Sequence, residues 1–338
     1  MTCSRRALLT AAAALALSPA AHGERRLITG VNLAGLEFNS SRLPGERDRD
    51  FVAPGANDLD YYRRRGAGAV RLPFLWERLQ PDLGGDFDDA YWGLIETLVT
   101  AARSRDMHIV LDAHQYGRRQ VRGRAEIIGE SSAVTVQHFS TFWRMIAERL
   151  REHPHVIFGL VNEPHDQDRA RLVATQNEAI RAIRDAGARQ LVLVSGSSWS
   201  GAHSWESSGN AQSMLDISDP AAHVAFDVHQ YLDDQSSGTQ GACVAGAGGR
   251  LAPFSTWAKE HGKLGFLGEF GAGASAACTT ELGALLQHVD DNRDVWLGWT
   301  YWAGGPWWPE DYPLSVQPAS LTNPRDRPQM AVLRRYFE

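Results

Sequence analysis

Cysteine is scarce in this chain, with three residues in 338. Cys243 and Cys278 have no paired histidines at ligand spacing, which excludes a structural zinc site. Beyond residue 23 no apolar run is long enough to cross a bilayer, so no membrane partner is expected for the mature chain. Basic residues are the minority, 34 Lys and Arg against 40 Asp and Glu, and they form no stripe. That speaks against a nucleic-acid partner and makes a neutral polymer a better substrate than an anionic one. There is no internal repeat, so a solenoid is excluded. A Pro/Ser/Thr-rich linker is also missing, and residues 24–338 are expected to form one domain.

The first 23 residues have a different character. Arg5-Arg6 precede an Ala/Leu run from Ala7 to Leu17, followed by Ser18-Pro19-Ala20-Ala21-His22-Gly23. A charged start, a short apolar stretch and small residues describe a signal peptide, cleaved after Ala20 or Gly23. Ser4-Arg5-Arg6-Ala7-Leu8-Leu9 partly matches a twin-arginine export signal. The mature protein is therefore expected to be secreted, periplasmic or extracellular, and monomeric. Losing residues 1–23 removes two arginines and no acids, taking the net charge from −6 to −8. It also removes Cys3, leaving an even pair in an exported protein. A Cys243–Cys278 disulfide is the default expectation, with two buried free thiols as the alternative.

Apolar runs recur along the remainder with helical stretches between them. They are Leu27–Leu33, Ala69–Pro73, His108–Ala113, Val156–Val161, Leu191–Ser195, Val224–His229, Lys263–Gly268 and Val295–Trp302. Eight buried parallel strands are the number that closes a (β/α)8 TIM barrel, an α/β fold whose usual size matches this chain. Phe139, Phe142, Trp143, Ile146, Ala147 and Leu150 share one helical face, and Leu172, Ala179, Ile180 and Ile183 mark another. The stretches 39–57, 197–214 and 233–250 read as irregular, and insertions of that kind line the cleft of a barrel.

Two glutamates stand where apolar runs give way to small and polar residues: Glu163 in Val161-Asn162-Glu163-Pro164 and Glu269 in Leu267-Gly268-Glu269-Phe270. Strand ends on that side of a barrel carry its chemistry. Two carboxyls facing one pocket are the minimum equipment for cleaving a glycosidic bond, one attacking as the anion and the other delivering a proton. Arg71, His114, Asn162, His229, Tyr231 and Trp302 fall at the same strand ends. Each alone has a structural explanation, as an ion-pair partner, a core histidine or barrel packing. Together they fit one reaction. Arg71 would keep the nucleophile ionised, Tyr231 would orient it, Asn162 would hold a sugar hydroxyl, and Trp302 would stack under the sugar ring. A carboxyl beside Asn162 and His229 would keep its proton to higher pH. A metal-dependent hydrolase is the enzymatic rival. The first strand has no His-X-His pair and no lysine falls at a strand end, so no metal and no cofactor are expected.

These segments resemble the family 5 glycoside hydrolases. The likeness runs from Gly30-Val31-Asn32-Leu33-Ala34-Gly35 to about Tyr312. That family pairs an Asn-Glu-Pro acid/base motif, here Asn162-Glu163-Pro164, with a Gly-Glu-Phe nucleophile motif, here Gly268-Glu269-Phe270. Its other recurrent positions correspond to Arg71, His114, His229, Tyr231 and Trp302. Asn162-Glu163-Pro164-His165-Asp166 and Tyr301-Trp302-Ala303-Gly304-Gly305-Pro306-Trp307-Trp308 are closest to endo-β-1,4-glucanases of the cellulase type, with Leu36-Glu37 and Gly304 as small departures. In that group a cysteine after the sixth strand pairs with one after the seventh, where Cys243 and Cys278 lie.

The resemblance implies a secreted retaining cellulase that cuts β-1,4-glucan internally. A β-mannanase or mixed-linkage glucanase is the neighbouring alternative, and a sugar-binding barrel without catalysis is the alternative of another class. Eleven tryptophans suit either a large core or a sugar cleft. Trp199, Trp205, Trp302, Trp307 and Trp308 are the candidate platforms, two or three of them expected to matter.

Overall fold

The computed structural model describes residues 26–338. The expected signal peptide lies outside the described residues. Ten strands are present among them: β1 (Ile28–Leu33), β2 (Ala69–Phe74), β3 (His108–Ala113), β4 (Arg118–Val121), β5 (Arg124–Ile127), β6 (Val156–Gly159), β7 (Val192–Ser195), β8 (Val224–Tyr231), β9 (Gly265–Gly271) and β10 (Trp296–Gly304). Eight of them close a barrel in the order β1-β2-β3-β6-β7-β8-β9-β10, with β10 returning to β1 and every neighbouring pair parallel. The fold is the (β/α)8 barrel that the eight apolar runs predict.

Two layers of packing explain why those runs do not alternate. Outside, helices cover the sheet. Helix Val136–Leu150 buries Phe139, Phe142, Trp143, Ile146, Ala147 and Leu150, the face expected from their spacing, and is capped by Thr135, whose hydroxyl accepts from the His138 amide. Helix Arg169–Asp185 packs beside it with Leu172, Ala179, Ile180 and Ile183 buried. Inside the barrel a separate cluster of Val110, Ile157, Leu191, Leu193, Ala225 and Phe266 fills the lumen. Both strand faces meet apolar neighbours, so a continuous hydrophobic run is the pattern the fold requires.

Above that plug the inward positions turn polar, following the two-residue period of a strand. On β3 the series is Val110, Asp112, then His114 just past its end; on β8 it is Ala225, Asp227, His229 and Tyr231. The β8–β9 register shifts between Val228 and His229, setting Glu269 opposite His229. Gly268 makes this possible, because a Cβ there would lie 2.0 Å from Asp227 Oδ1. Glu269 therefore sits inside β9, one residue past an irregularity, rather than in the turn that follows the strand. β6 is shorter than its apolar run and stops at Gly159, so Asn162 and Glu163 stand on the loop beyond it.

One element escapes the sequence reading. Strands β4 and β5 form a small antiparallel hairpin after β3. Its turn is Arg122-Gly123, both at positive φ (50° and 76°). That geometry belongs to tight hairpin turns, but Arg-Gly is not among the dipeptides that announce one.

Cys243, in the loop after β8, is bonded to Cys278 in the first turn of helix Ala276–Asp291. The expected disulfide is present. Closing this 35-residue separation stabilises the fold by about 3–4 kcal/mol on chain-entropy grounds.

Candidate active site

The strand ends deliver all eight residues to one place. Arg71, at 0% exposure, is the hub. Its Nη1 donates to Glu269 Oε1 at 2.7 Å and to Asn32 Oδ1 at 2.8 Å. Its Nη2 donates to Asn162 Oδ1 at 2.7 Å and lies 3.1 Å from Asp112 Oδ2. The second oxygen of Glu269 accepts from the Tyr231 hydroxyl at 2.7 Å. Both oxygens of Glu269 are thus fixed, and its side chain has one orientation.

His229 bridges the two glutamates. Its Nδ1 lies 2.6 Å from Glu163 Oε1 and 3.6 Å from Glu269 Oε2. That nitrogen and one oxygen from each glutamate lie within 4.8 Å of one another. Three such atoms are a possible grip for a cation. However, both Glu269 oxygens already accept from donors, and the Arg71 guanidinium stands beside them. The donor set suits an anion held by cations better than a metal centre.

The charge environment follows from these contacts. Burial alone would raise the Glu269 carboxyl, but the positive charges of His229, Arg71 and His114, together with the Tyr231 hydrogen bond, hold it down at about 2. Burial alone would lower His229, yet the Glu269 charge and its nearness to Asp227 and Glu163 push it up to about 10. His114 is also raised. Burial opposes the shift, and the hydrogen bond from its Nδ1 to Asp112 Oδ2 at 2.7 Å leads the groups that overcome it. Burial keeps Tyr231 a neutral phenol, so it donates to Glu269.

Trp302 stands on the rim with its ring stacked on His114, centroids 5.6 Å apart at 12°. Its Nε1 donates to the Tyr312 hydroxyl at 3.1 Å. A belt of rings continues to either side. One arm runs through Trp308 and Tyr312, stacked at 4.2 Å. The other runs from His114 through Tyr116 and His165 to Trp199, which stacks on His165 at 4.6 Å. Glu163, Trp199, His229 and Tyr231 border a cavity of about 520 Å³ at that end.

Where the structure departs from the sequence reading, packing is the reason. Trp205 is not a platform. It is fully buried among Phe226, Phe254 and Trp257. Trp199, six residues earlier in the same insertion, is half exposed. Asn162 is turned away from the Glu163 carboxyl; Arg71 takes its oxygen, and its Nδ2 lies 3.4 Å from His114 Nε2.

Sequence reasoning gave no role to the supporting residues. Asn32, Asp112 and Asp227 lie one layer beneath and balance Arg71 and the two histidines. A signal existed, since each points inward by the two-residue alternation. Glu37, in the turn after β1, is a fourth supporting residue. It is 7% exposed, accepts from the Gly35 amide at 2.7 Å, and burial pushes its carboxyl up to about 7.

Comparison with known proteins agrees with the geometry. Residues 30–305 match the family model for cellulase (glycosyl hydrolase family 5). The chain belongs to glycosyl hydrolase family 5. It is 36% identical over 292 residues to endo-beta-1,4-glucanase B of Emericella nidulans, covering 86% of this chain and 85% of that protein. It is 34% identical over 324 residues to the Aspergillus niger enzyme of the same name, covering 93% and 94%. Among solved structures, an endo-beta-1,4-glucanase from Xanthomonas axonopodis pv. citri, carrying three substitutions, superposes with a TM-score of 0.88 at 40% identity, over 92% of this chain and 98% of that one. XacCel5A in complex with cellopentaose gives 0.87 at 40% identity, over 91% and 98%. As a member of this family the protein is a cellulase-type glycosidase.

Proposed function

We propose that the protein hydrolyses β-1,4-glucosidic bonds within cellulose and related glucans, with retention of anomeric configuration, and that Glu269 is the nucleophile and Glu163 the acid/base. The observation that carries this reading is the close approach of two carboxyls, of which Glu269 is held as an anion by the surrounding cations. Their nearest oxygens fall within 4.8 Å. Retaining glycosidases keep the pair about 5–5.5 Å apart, whereas inverting ones need roughly 6.5–9.5 Å for a water molecule.

In the first step a Glu269 oxygen bonds to the anomeric carbon while the bond to the leaving oxygen breaks. The leaving oxygen takes its proton from Glu163. That proton is stored on the short His229–Glu163 hydrogen bond. As Glu269 gives up its charge to the new bond, His229 loses its strongest electrostatic support and the proton shifts towards Glu163 when the leaving group needs it. In the second step water gives its proton back to the same pair and attacks the glycosyl ester, releasing Glu269. Arg71 and Tyr231 hold the nucleophile in line throughout. Trp302 offers a flat face to the reacting sugar, and the ring belt supports a chain extending both ways, which favours internal cleavage. The resemblance of residues 1–23 to an export signal supports action outside the cytoplasm, on a polymer that does not enter cells.

Proton NMR of early product on a soluble cello-oligosaccharide tests the mechanism. The β-anomer is expected first, and α-anomer first would defeat it. Viscosity loss measured against new reducing ends tests the mode of attack. A rapid drop is expected on a cellulose derivative, and faster turnover of mannan in parallel would move the substrate assignment.

A further inference from the structure

The loop that follows β8 is open to solvent yet tied down along its length. Asp234, Gln235, Ser237, Thr239 and Gln240 are exposed, and exposed loops are ordinarily the mobile part of a fold. Here Asp233, 2% exposed, holds the near end. Its Oδ1 accepts from the Ser237 and Gly238 amides at 3.0 and 3.1 Å, and its Oδ2 accepts from the Ser237 hydroxyl at 2.7 Å. Arg250 Nη1 donates to the carbonyls of Tyr231 and Asp233 at 3.0 and 2.7 Å. At the far end Gly241 lies against Gly273, where a Cβ would come within 1.9 Å of the Gly241 carbonyl oxygen, and Cys243 is bonded to Cys278. The Val244 amide closes the base of the loop on the Leu232 carbonyl at 3.0 Å.

Between those anchors the loop leans on the active centre. Gly238 is buried and packs against the Tyr231 ring. A Cβ at this position would lie 2.6 Å from Tyr231 Cε1 and 2.8 Å from Cδ1 and Cζ, too close for any side chain. Its φ of 68° lies in the left-handed region, which glycine enters without steric cost. The position is closed to other residues twice over.

What the loop leans on is the group that aims Glu269. The Tyr231 hydroxyl donates to Glu269 Oε2 at 2.7 Å. A hydroxyl at the tip of a ring goes where the ring goes, and the ring turns about two side-chain bonds. A hydrogen bond fixes a distance. Packing against the side of the ring fixes the direction from which the bond arrives. The backbone at Gly238 supplies such packing, and the anchors at Asp233 and Cys243 keep that backbone from retreating.

We propose that the loop 233–243 is a brace for the nucleophile, and that Gly238 is its point of contact, a positioning residue that acts on Glu269 through Tyr231. The proposal rests on the reading of Glu269 as the nucleophile. The Asp233 clamp and the Cys243–Cys278 bridge then serve catalysis as well as stability, because they hold the brace in place. An irregular stretch that the sequence marks only as cleft lining thus reaches the reacting carboxyl through one glycine.

The test is a double-mutant cycle of Gly238→Ala and Tyr231→Phe, read on kcat and on the acid limb of kcat/KM for a soluble cello-oligosaccharide. Tyr231→Phe keeps the ring and removes the hydroxyl, and losing one hydrogen bond to a charged group should lower kcat about 10–100-fold. Gly238→Ala should lower kcat about tenfold with Tyr231 intact, and by no more than about twofold in the Tyr231→Phe background, where there is no hydroxyl left to displace. Glu269 is also faced by Arg71 from β2, His114 beyond β3, Glu163 beyond β6, His229 on β8 and Tyr312 beyond β10. Those influences remain in every variant. The Tyr231 hydrogen bond is one of those that hold the Glu269 carboxyl low, so losing it raises the carboxyl. The acid limb should move to higher pH in either single variant and no further in the double. Asp233→Ala loosens the loop without adding bulk and should move the limb the same way by less.

Unfolding midpoints against pH report the same contact without substrate. At neutral pH Gly238→Ala should cost the same stability in both backgrounds. A depressed carboxyl loses its stabilisation as pH falls through its folded value, so raising that value brings the acid fall on at higher pH. With Tyr231 intact, Gly238→Ala should show that shift. An equal loss of kcat from Gly238→Ala in both backgrounds would overturn the proposal, as would an acid limb that stays in place in Gly238→Ala or in Asp233→Ala. Azide rescue of Glu269→Ala is scored separately. Its failure would defeat the nucleophile reading, while the unfolding series would still decide whether Gly238 holds Tyr231 on Glu269.

Discussion

Glu163 and Glu269 are the same amino acid a few ångströms apart, and almost nothing else about them is alike. Glu269 lies within a strand, 3% exposed, with each oxygen committed to a donor. Glu163 stands four residues beyond the end of β6 at φ 42°. Its side chain is 14% exposed, its one charged partner among the described residues is His229, and it faces the open cavity that carries Trp199. Cations fix the first glutamate as an anion. Among the same residues the second has a single hydrogen bond, to His229, and a side chain that is partly open to the cavity. The different roles proposed for them rest on partners and placement.

The largest expected effect tests the committed glutamate. Glu269→Ala should lower kcat on cellulose derivatives on the order of 10⁶-fold, as loss of a nucleophile does elsewhere. Azide added to an activated β-glucoside should restore turnover and give the α-glycosyl azide. Glu163→Ala should cost roughly 10²–10⁴-fold on a natural substrate, the usual contribution of a general acid. It should cost little in glycosyl-enzyme formation when the leaving group needs no proton, and azide should then give the β product. If the two variants exchanged products, the comparison would stand and the roles would be reversed.

A smaller effect probes the coupling between the two through stability against pH. The folded Glu269 carboxyl is depressed to about 2 from an ordinary 4.5. Its stabilisation is therefore complete above about 4.5 and is lost as pH falls through about 2. His229 is raised to about 10 from 6.5. Its stabilisation is complete below about 6.5 and is lost as pH rises through about 10. The unfolding midpoint should be highest between those limits. His229→Gln should flatten the alkaline fall. Glu269→Gln should flatten the acid fall and much of the alkaline one, since the Glu269 charge is the first of the influences that raise His229. An alkaline slope unchanged in Glu269→Gln would mean that His229 is held by Asp227 and Glu163 instead.

The same contrast explains what was legible in the sequence. The barrel was readable because strands buried on both faces write continuous apolar runs, and each of the eight runs corresponds to a barrel strand. Glu269 was readable because it interrupts such a run. Glu163 was readable because Asn162 and Pro164 frame it. The supporting layer was harder, since Asn32, Asp112 and Asp227 act through register, and register across a closed sheet is a non-local property. The β8–β9 irregularity that brings Glu269 opposite His229 depends on a space between Gly268 and Asp227, residues 41 apart in the chain. Turn chemistry hid the hairpin: Arg122-Gly123 adopts positive φ without the usual Asn or Asp.

Trp199 and Trp205 show the same limit within one insertion, and they carry the smallest prediction. Composition and spacing treat them alike. Trp205 meets Phe226, Phe254 and Trp257 and is 0% exposed, whereas Trp199 lies on His165 and is 50% exposed. Trp205→Ala should leave a core cavity and cost about 3–5 kcal/mol of stability, with little change in KM for the molecules that remain folded. Trp199→Ala should leave the unfolding midpoint almost where it is. It should remove about 1 kcal/mol of stacking from substrate on the Glu163 side, close to a fivefold rise in KM for oligosaccharides long enough to reach it. A short substrate filling only the Trp302 side should not register the change. If short and long substrates weakened together, Trp199 would be acting through His165 on Glu163 rather than as a platform, and a fall in kcat with KM constant would report that directly.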